Sequence, residues 1–256
     1  MALSSRGPSE VDRRIHLSSS PELLTVRQMP TIIVLTGYID IFTQFQRTIA
    51  QFEPKNPRIV VTSRGIRNVM KELPNWTIIP GIEPFVFARN ANLGIQAADR
   101  DDVILINDDI KFMHPGSVVG MAIAAYSSEK IGIVSPQITG CSGGNVLQNR
   151  LTKRTGDVVI SKNRLAFSCV YIKRTLIDAI GLLDERFTGY GCDDDDYCLR
   201  AHQAGFDLAV TPRVHVQHEF KGKRASASFT RTPGMDKSAE KMRKLFEEKH
   251  GQQTEF

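Results

Sequence analysis

Two acidic runs contain the side chains with the clearest capacity for chemistry. Asn107-Asp108-Asp109 follows the apolar run VILI, and residues 193–196 are four consecutive aspartates. Carboxylate oxygens at the end of a buried strand suit Mg²⁺ or Mn²⁺, which commonly take their remaining ligands from substrate phosphates and water. Together the two runs predict a metal-dependent enzyme that acts on a phosphate-bearing substrate.

Each run also has a structural interpretation. The first could be a solvated turn in which an Asn or Asp side chain bonds nearby backbone. The second could be the acidic first turn of a helix, with Asp196 and Arg200 spaced for an ion pair. Four adjacent carboxylates repel one another, however, which raises the pKa of at least one of them and suits it to act as a general base.

Two histidines, His215 and His218, stand on or just after the last predicted strand. A lone histidine is more often structural than a ligand. His218 could complete a metal site if its strand ends near the acidic residues, because imidazole binds divalent metals.

Apolar β-branched runs alternate with helical patterns through the first half of the chain. This alternation predicts βαβ units and a mostly parallel, doubly wound sheet. Ligands bind beyond the carboxyl ends of such strands, so residues 36–38, 63–65 and 107–109 are candidates for the site. The predicted strands are Thr31–Thr36, Arg58–Thr62, Trp76–Ile79 and Val103–Ile106, and the helical patterns fall at 42–52, 66–73, 91–99 and 115–126.

The second half has a different pattern. Residues 138–164 are polar and Gly-rich without periodicity, which indicates a long excursion, and Ala239, Met242 and Phe246 share one face of a charged C-terminal helix. The other predicted elements are strands at Ile131–Ser135, Leu165–Ile172, Asp207–Val210 and Val214–Val216, and helices at Arg174–Ile180 and 193–203.

Composition sets wide bounds. The 256-residue chain has a formal charge of +5 and a pI of about 9.1, a mild basicity that suits an anionic partner without identifying one. The sequence has no apolar run of membrane-spanning length and no signal pattern, so we expect a cytoplasmic protein. The four cysteines match neither a zinc ribbon nor a disulfide framework, which indicates reduced thiols.

Four segments, in order, resemble the inverting GT-A glycosyltransferases of family 2, which take sugars from nucleotide-sugar donors. The first two are PFVFARNANLGIQAA (84–98), similar to the family's Gly-rich helix start, and VILINDDI (103–110), similar to its strand and DxD-type motif with Asn first. The others are GLLDERFTGYGCDDDDYCLRAHQAGF (181–206), similar to the acceptor-side segment with its acidic motif, and TPRVHVQH (211–218), similar to the strand with the metal-binding histidine.

The resemblance implies a GT-A fold, which is a Rossmann-like, mostly parallel central sheet flanked by helices in one α/β domain. This domain would span residues 29–220, with a nucleotide-sugar-binding half at 29–130 and an acceptor-binding half at 131–220. Residues 1–28 are expected to form a flexible leader, and 221–256 a basic C-terminal segment with a helix.

Carried over to this sequence, the resemblance assigns a divalent metal, Mn²⁺ or Mg²⁺, to Asp109 and His218. It makes Asp194 the catalytic base and puts Asp193 in the place of the family's Glu. A UDP-sugar is the expected donor, but the base stays open because Thr62-Ser63-Arg64 stands where the family often has an Asp that contacts it. The residues implied for donor binding are Thr36, Tyr38, Ser63, Arg89, Asn92, Asn107 and Asp108.

The acceptor is less constrained than the donor. Basic residues are dense at 150–174, and Lys221, Lys223, Arg224 and Arg231 follow the last strand. They could form a solvated surface or a groove for a polyanion, such as a nucleic acid with modified bases or an anionic glycan.

Two other functions stay open. A nucleotidyltransferase also uses strand-end carboxylates and a metal, but it would normally have a Gly-rich basic loop where this chain has Thr36-Gly37-Tyr38-Ile39-Asp40. A non-catalytic sugar-nucleotide or glycan-binding module would not need a base such as Asp194. The sugar and the oligomeric state do not follow from the sequence.

Overall fold

The computed structural model of the protein describes residues 14–15, 29–53, 55–63, 73–140, 148, 157–218 and 235–251, and ten strands within these ranges form one sheet. The strands are β1 (Arg14–Ile15), β2 (Thr31–Thr36), β3 (Arg58–Thr62), β4 (Thr77–Pro80), β5 (Val103–Asn107), β6 (Ile110–Phe112), β7 (Ile131–Thr139), β8 (Val158–Ser161), β9 (Cys169–Ile172) and β10 (Asp207–His218). The helices described are α1 (Ile39–Phe52), α2 (Phe87–Ala97), α3 (Ser117–Tyr126), α4 (Arg174–Ile180), α5 (Asp193–Gln203) and α6 (Met235–His250).

The first half of the sheet is parallel, as the alternating sequence pattern predicts. β2 pairs with β3 on one side and β5 on the other, and β3 pairs with β4. β2 is buried along its whole length because successive side chains enter the cores on opposite faces of the sheet. Ile32 and Val34 pack in the core that includes α1, whereas Ile33 and Leu35 pack in the core that includes α2. The carboxyl ends of these strands therefore meet at one edge between two layers of helices.

The second half adds antiparallel strands, which the sequence pattern does not predict. β9 lies between β5 and β7 and is antiparallel to both, while β7 and β10 are parallel. β8 pairs antiparallel with β10 and with β1. The sheet is therefore mixed, and the amino end of β9 reaches the same edge as the carboxyl end of β5.

β10 is one strand where the sequence predicts two. Its register against β7 shifts between Thr211 and His215, across Pro212, whose missing N–H cannot join a ladder. Before the shift β10 pairs with β8, and after it Val216–His218 pair with β6. The irregularity lets one strand pair with β8 in its first part and with β6 in its last part.

Several sequence predictions need qualification. Arg14–Ile15 form a strand within the expected leader at 1–28, and β8 lies within the expected long excursion at 138–164. The rest of the leader, most of the helical pattern at 66–73 and the basic residues at 150–156 and 221–231 lie outside the described residues.

The C-terminal helix α6 is well packed although it lies beyond the predicted domain at 29–220. Met242 and Phe246 form a small core with Phe187 and Leu199, in agreement with the predicted apolar face. Among the described residues, none of the helices has the length and apolarity needed to cross a membrane.

Candidate active site

The turn between β5 and β6 holds the first acidic run. β5 ends at Asn107, and Asp108 and Asp109 form the turn. Thr36, at the end of neighbouring β2, donates its hydroxyl to Oδ2 of Asp108 at 2.6 Å. Burial raises the pKa of Asp108 to about 7; the Thr36 hydrogen bond counteracts this rise, and the charges of Asp109 and Asp40 add to it.

The short strand β6 brings His218 to Asp109. Ile110 lies opposite His218 in the antiparallel ladder, so the residue before Ile110 lies beside the histidine. Nε2 of His218 is 2.9 Å from Oδ1 of Asp109, with the two side chains 8% and 9% exposed. Gly140 permits this packing, because it has φ of +88° and an added Cβ would lie 2.3 Å from the His218 carbonyl oxygen.

The Asp109–His218 pair fits a divalent metal in its chemistry. Oδ1 of Asp109 is buried and has no hydrogen-bond partner among the described residues, despite its proximity to the imidazole. A cation bound by both side chains would satisfy this oxygen. The described residues contain no group of three or more His, Cys, Asp or Glu side chains able to hold a metal. Asp109 and His218 would supply two ligands, and phosphate oxygens and water could take other positions, as is common at Mg²⁺ and Mn²⁺ sites.

The four aspartates at the start of α5 have different environments. Asp196 is fully buried. Its carboxylate accepts hydrogen bonds from Nε of Arg200 at 2.9 Å, Nζ of Lys249 at 2.6 Å and Nε2 of His250 at 2.7 Å. Burial opposes ionisation, but these donors outweigh it and lower the pKa of Asp196. Its ion pair with Arg200 is confirmed, and Asp196 is a structural anchor.

The other three carboxylates have fewer hydrogen-bond donors to offset their burial. Burial raises the pKa of Asp193 to about 6, while neighbouring N–H groups oppose the rise and Asp195 and Asp196 add to it. Burial and the charges of Asp193 and Asp195 raise the pKa of Asp194 well above its usual value. Asp195, which has no role in the sequence analysis, lies 3.3 Å from a guanidinium nitrogen of Arg164. A carboxylate with a raised pKa at the start of α5 is suited to accept a proton.

One two-residue segment contacts both acidic runs. The backbone N–H of Asn107 donates to the Ser168 carbonyl at 2.9 Å, and the backbone N–H of Phe167 donates to the Asp194 carboxylate. The segment lies just before β9, whose antiparallel direction brings it to the carboxyl edge of the sheet. Asp109 and Asp194 therefore belong to one region of the molecule.

The predicted donor-binding residues divide into two groups. Thr36, Tyr38 and Ser63 lie at the ends of β2 and β3, where the Ser63 N–H donates to the Thr36 carbonyl at 2.9 Å. Their position at the sheet edge, next to Asp108, matches the region where parallel sheets bind ligands.

Arg89 and Asn92 lie on α2 and contact the segment that leads to the acidic run. Nε of Arg89 is 3.6 Å from Glu185. The Asn92 amide exchanges hydrogen bonds with the backbone of Leu183 and donates to Glu185. These contacts make Asn92 a link between α2 and the 183–185 segment, and a donor contact by either residue stays a prediction.

Sequence reasoning missed five residues that contribute to the site. Ser168 and Phe167 act through backbone groups, which leave no residue-type signal. Gly140 directly follows β7, but the predicted strand ends at Ser135, so no signal in the sequence indicated a glycine at a strand end there. Lys249 and His250 lie more than fifty residues from Asp196, and no local pattern predicts that contact.

Comparison with solved structures supports the same architecture. The chain superimposes on GalNAc-T7 with UDP, GalNAc and Mn²⁺ at a TM-score of 0.64 and 10% identity, over 87% of this chain and 50% of that one. It superimposes on the mannosyltransferase PcManGT from Pyrobaculum calidifontis with GDP-Man and Mn²⁺ at 0.60 and 19%, over 78% and 60%. The chain has the GT-A glycosyltransferase fold.

A third GT-A structure agrees with these two. The catalytic domain of Drosophila beta1,4galactosyltransferase 7 with xylobiose gives a TM-score of 0.50 at 14% identity, over 84% of this chain and 79% of that one. The chain thus spans half of the first GT-A protein and three fifths of the second. No protein-family model and no curated protein sequence matches it.

Proposed function

We propose that this protein transfers a sugar from a nucleoside-diphosphate sugar to an acceptor nucleophile in a metal-dependent reaction. The observation that carries the proposal is the Asp109–His218 pair, which shares one region with the carboxylates at the start of α5. The GT-A fold supports the same conclusion. The finer assignment, to inverting enzymes of family 2, rests on the four sequence segments.

The proposed reaction is a direct displacement. Asp194 accepts the proton of an acceptor hydroxyl, the acceptor oxygen forms a bond to the anomeric carbon, and the bond from that carbon to the diphosphate oxygen breaks. Attack opposite the leaving group inverts the anomeric configuration. Asp193 adjoins the base, and its negative charge contributes to the raised pKa of Asp194.

Asp109 and His218 would hold Mn²⁺ or Mg²⁺, which when bound neutralises charge on the leaving nucleoside diphosphate. Thr36, Tyr38, Ser63, Asn107 and Asp108 would contact the donor at the sheet edge, and Arg89 would add positive charge beside the diphosphate. A UDP-sugar is the donor we expect. We also propose a polyanionic acceptor, such as a nucleic acid or an anionic glycan, on the basis of the clustered Lys and Arg residues.

The decisive experiment is a turnover assay with a panel of nucleotide-sugars, with and without Mn²⁺, that identifies the released product. Release of a nucleoside diphosphate with an inverted glycoside indicates the proposed reaction. Release of pyrophosphate would indicate nucleotidyl transfer instead. Binding of nucleotide-sugars without any product would indicate a non-catalytic module.

Asp194→Asn tests the base. We expect transfer to fall about 10³-fold, because a positioned base typically contributes about 10²–10⁴-fold. Nucleotide and Mn²⁺ binding should persist, and loss of one charge from a crowded acidic run should not destabilise the fold. Asp178→Asn, on the exposed face of α4, is the matched control. Near wild-type transfer by Asp194→Asn would refute the assignment.

A further inference from the structure

The last turn of α6 contacts the first turn of α5. Nζ of Lys249 lies 2.6 Å from Oδ1 of Asp196, and Nε2 of His250 lies 2.7 Å from the same oxygen. The other oxygen of Asp196 accepts a hydrogen bond from Nε of Arg200 at 2.9 Å. Asp196 is two residues from Asp194 in the same helical turn, so a group that holds Asp196 also constrains Asp194.

Lys249 makes a second ionic contact, with a residue twelve positions before Asp196. The same ammonium lies 2.7 Å from Oδ2 of Asp184, so it joins the two ends of the segment 184–196. Between these ends, the backbone N–H groups of Gly189 and Tyr190 donate to Met242 and Ser238 of α6. At Gly189 an added Cβ would lie 2.3 Å from the Ser238 hydroxyl oxygen. The helix thus follows the segment that precedes Asp194.

These ionic contacts exceed what the attachment of α6 requires. The apolar core of Phe187, Leu199, Met242 and Phe246 already holds the helix. Arg200, from α5 itself, already pairs with Asp196. Burying further charges costs desolvation energy, and buried ion pairs are often no more stable than apolar replacements. A second cation at Asp196 is therefore better explained by a requirement for geometry than for stability.

We propose that Lys249 is a positioning residue, which fixes the segment 184–196 through Asp184 and Asp196 so that Asp194 is held ready to accept the proton. The inference rests on the proposed function and deepens it. It also assigns a role to α6, which lies outside the resemblance at 29–220. Lys249 acts through other residues and does not contact substrate.

The test is Lys249→Met, which keeps the length of the stem but removes the ammonium group. We expect kcat to fall by about tenfold to a hundredfold, because misplacement of a reacting group by about 1 Å can cost that much. The KM for the donor and the Kd for nucleotide with Mn²⁺ should stay within about twofold, because that site lies at the ends of β2 and β5. Lys249→Arg should restore most of kcat because it restores a cation.

Lys244→Met is the matched control, since Lys244 lies on the same helix, is 65% exposed and pairs with Glu240 at 3.2 Å. It should leave kcat unchanged. If Lys249→Met does not fold, Asp184→Asn removes one partner of Lys249, together with the ion pair between Asp184 and exposed Arg186, and leaves Asp196 fully paired. The same drop in kcat with constant KM is expected.

Wild-type activity is measured in the same assay, which separates the two proposals. An active wild type with unchanged kcat in folded Lys249→Met overturns the positioning role alone. Parallel losses of kcat and nucleotide binding, in proportion to the folded fraction, also overturn it because they indicate a purely structural role. A wild type that transfers no sugar from any donor overturns the proposed function, and the positioning role with it.

Discussion

Strand β5 has a pair of aspartates at each end, and the two pairs have opposite environments. Before the strand, the Asp102 carboxylate accepts hydrogen bonds from the hydroxyls of Tyr126 and Tyr171 and from the backbone N–H of Arg174. After the strand, Asp108 has one side-chain donor among the described residues, Thr36, and Oδ1 of Asp109 lies 2.9 Å from the His218 imidazole without a hydrogen bond from any of them.

The difference distinguishes a carboxylate whose hydrogen bonds hold the fold together from carboxylates that are candidates for ligand binding. At Asp102, burial and the adjacent negative charge raise the pKa of Tyr171, so its hydroxyl remains a donor at neutral pH. At this end of the strand, hydrogen bonds within the protein satisfy Asp102 and link β5, α3 and α4. The other end leaves acceptor capacity unused in a buried place, which costs free energy unless a ligand supplies a partner.

The largest effect should come from Asp109→Asn. Loss of the anionic metal ligand should reduce transfer about 10³-fold, since a metal supplies several kcal/mol of charge stabilisation and each 1.36 kcal/mol is about tenfold in rate. Isothermal titration should show weaker Mn²⁺ binding, while the free energy of unfolding without metal stays similar. A large loss of stability in the metal-free protein would break the comparison, because Asp109 would then be structural.

Asp102→Ala should have the reverse signature. It removes the acceptor of the fully buried Tyr171 hydroxyl, which should lower the free energy of unfolding by about 2–3 kcal/mol. Transfer per folded molecule should not change. Urea denaturation followed by circular dichroism measures the loss. Tyr126→Phe, at a residue 44% exposed, is the matched control and should cost less than about 1 kcal/mol. Lost activity in folded Asp102→Ala would contradict the contrast between a structural Asp102 and a ligand-binding pair at Asp108 and Asp109.

The pH dependence of kcat tests the acidic run. Only an ionised carboxylate accepts a proton, so the rate is full above the pKa of the base and is lost as pH falls through it. An ordinary Asp would titrate near about pH 4. Because burial and the charges of Asp193 and Asp195 raise the pKa of Asp194 well above its usual value, we expect the acidic limb to lie clearly above the pH at which an ordinary Asp titrates. A limb near pH 4, with the protein folded, would exclude Asp194 in its buried environment.

Thr36→Val should have the smallest effect. Valine is close to threonine in size, so the change removes mainly the 2.6 Å hydrogen bond to Asp108. A hydrogen bond to a charged group contributes about 1.5–3 kcal/mol, and solvent or donor groups can replace part of it. We expect nucleotide with Mn²⁺ to bind about fivefold to tenfold more weakly, as measured by calorimetry. Unchanged binding would place Asp108 outside the donor site.

Local patterns predict much of this fold. β2, β3, α4 and α5 have the bounds that the sequence predicts, because each is a β-branched run or a periodic segment between clear turn residues. His218, the last residue of β10, lies 2.9 Å from Asp109, and a metal bound by both side chains stays a prediction. The GT-A fold is confirmed, whereas catalysis by Asp194 stays a prediction.

Pairing between distant segments could not be predicted. Periodicity indicates that β9 is a strand, but it does not indicate that β9 runs antiparallel between β5 and β7. The differences among the four aspartates also depend on distant residues, because Lys249 and His250 contact Asp196 while Arg164 contacts Asp195. A run of identical residues therefore has members with different properties, and sequence alone does not distinguish them.

Because the register of β10 shifts at Pro212, the number of residues between Pro212 and His218 determines which side of the strand His218 occupies. After the shift, the side chains of β10 alternate strictly, with Val214, Val216 and His218 buried and His215 and Gln217 less so. Inserting or deleting one residue between Pro212 and His218 would turn the buried side chains outward and the more exposed ones inward, so that the histidine would no longer face Asp109. Two residues would preserve the orientation. The length of this short stretch, as much as its composition, thus determines whether a histidine meets the carboxylate.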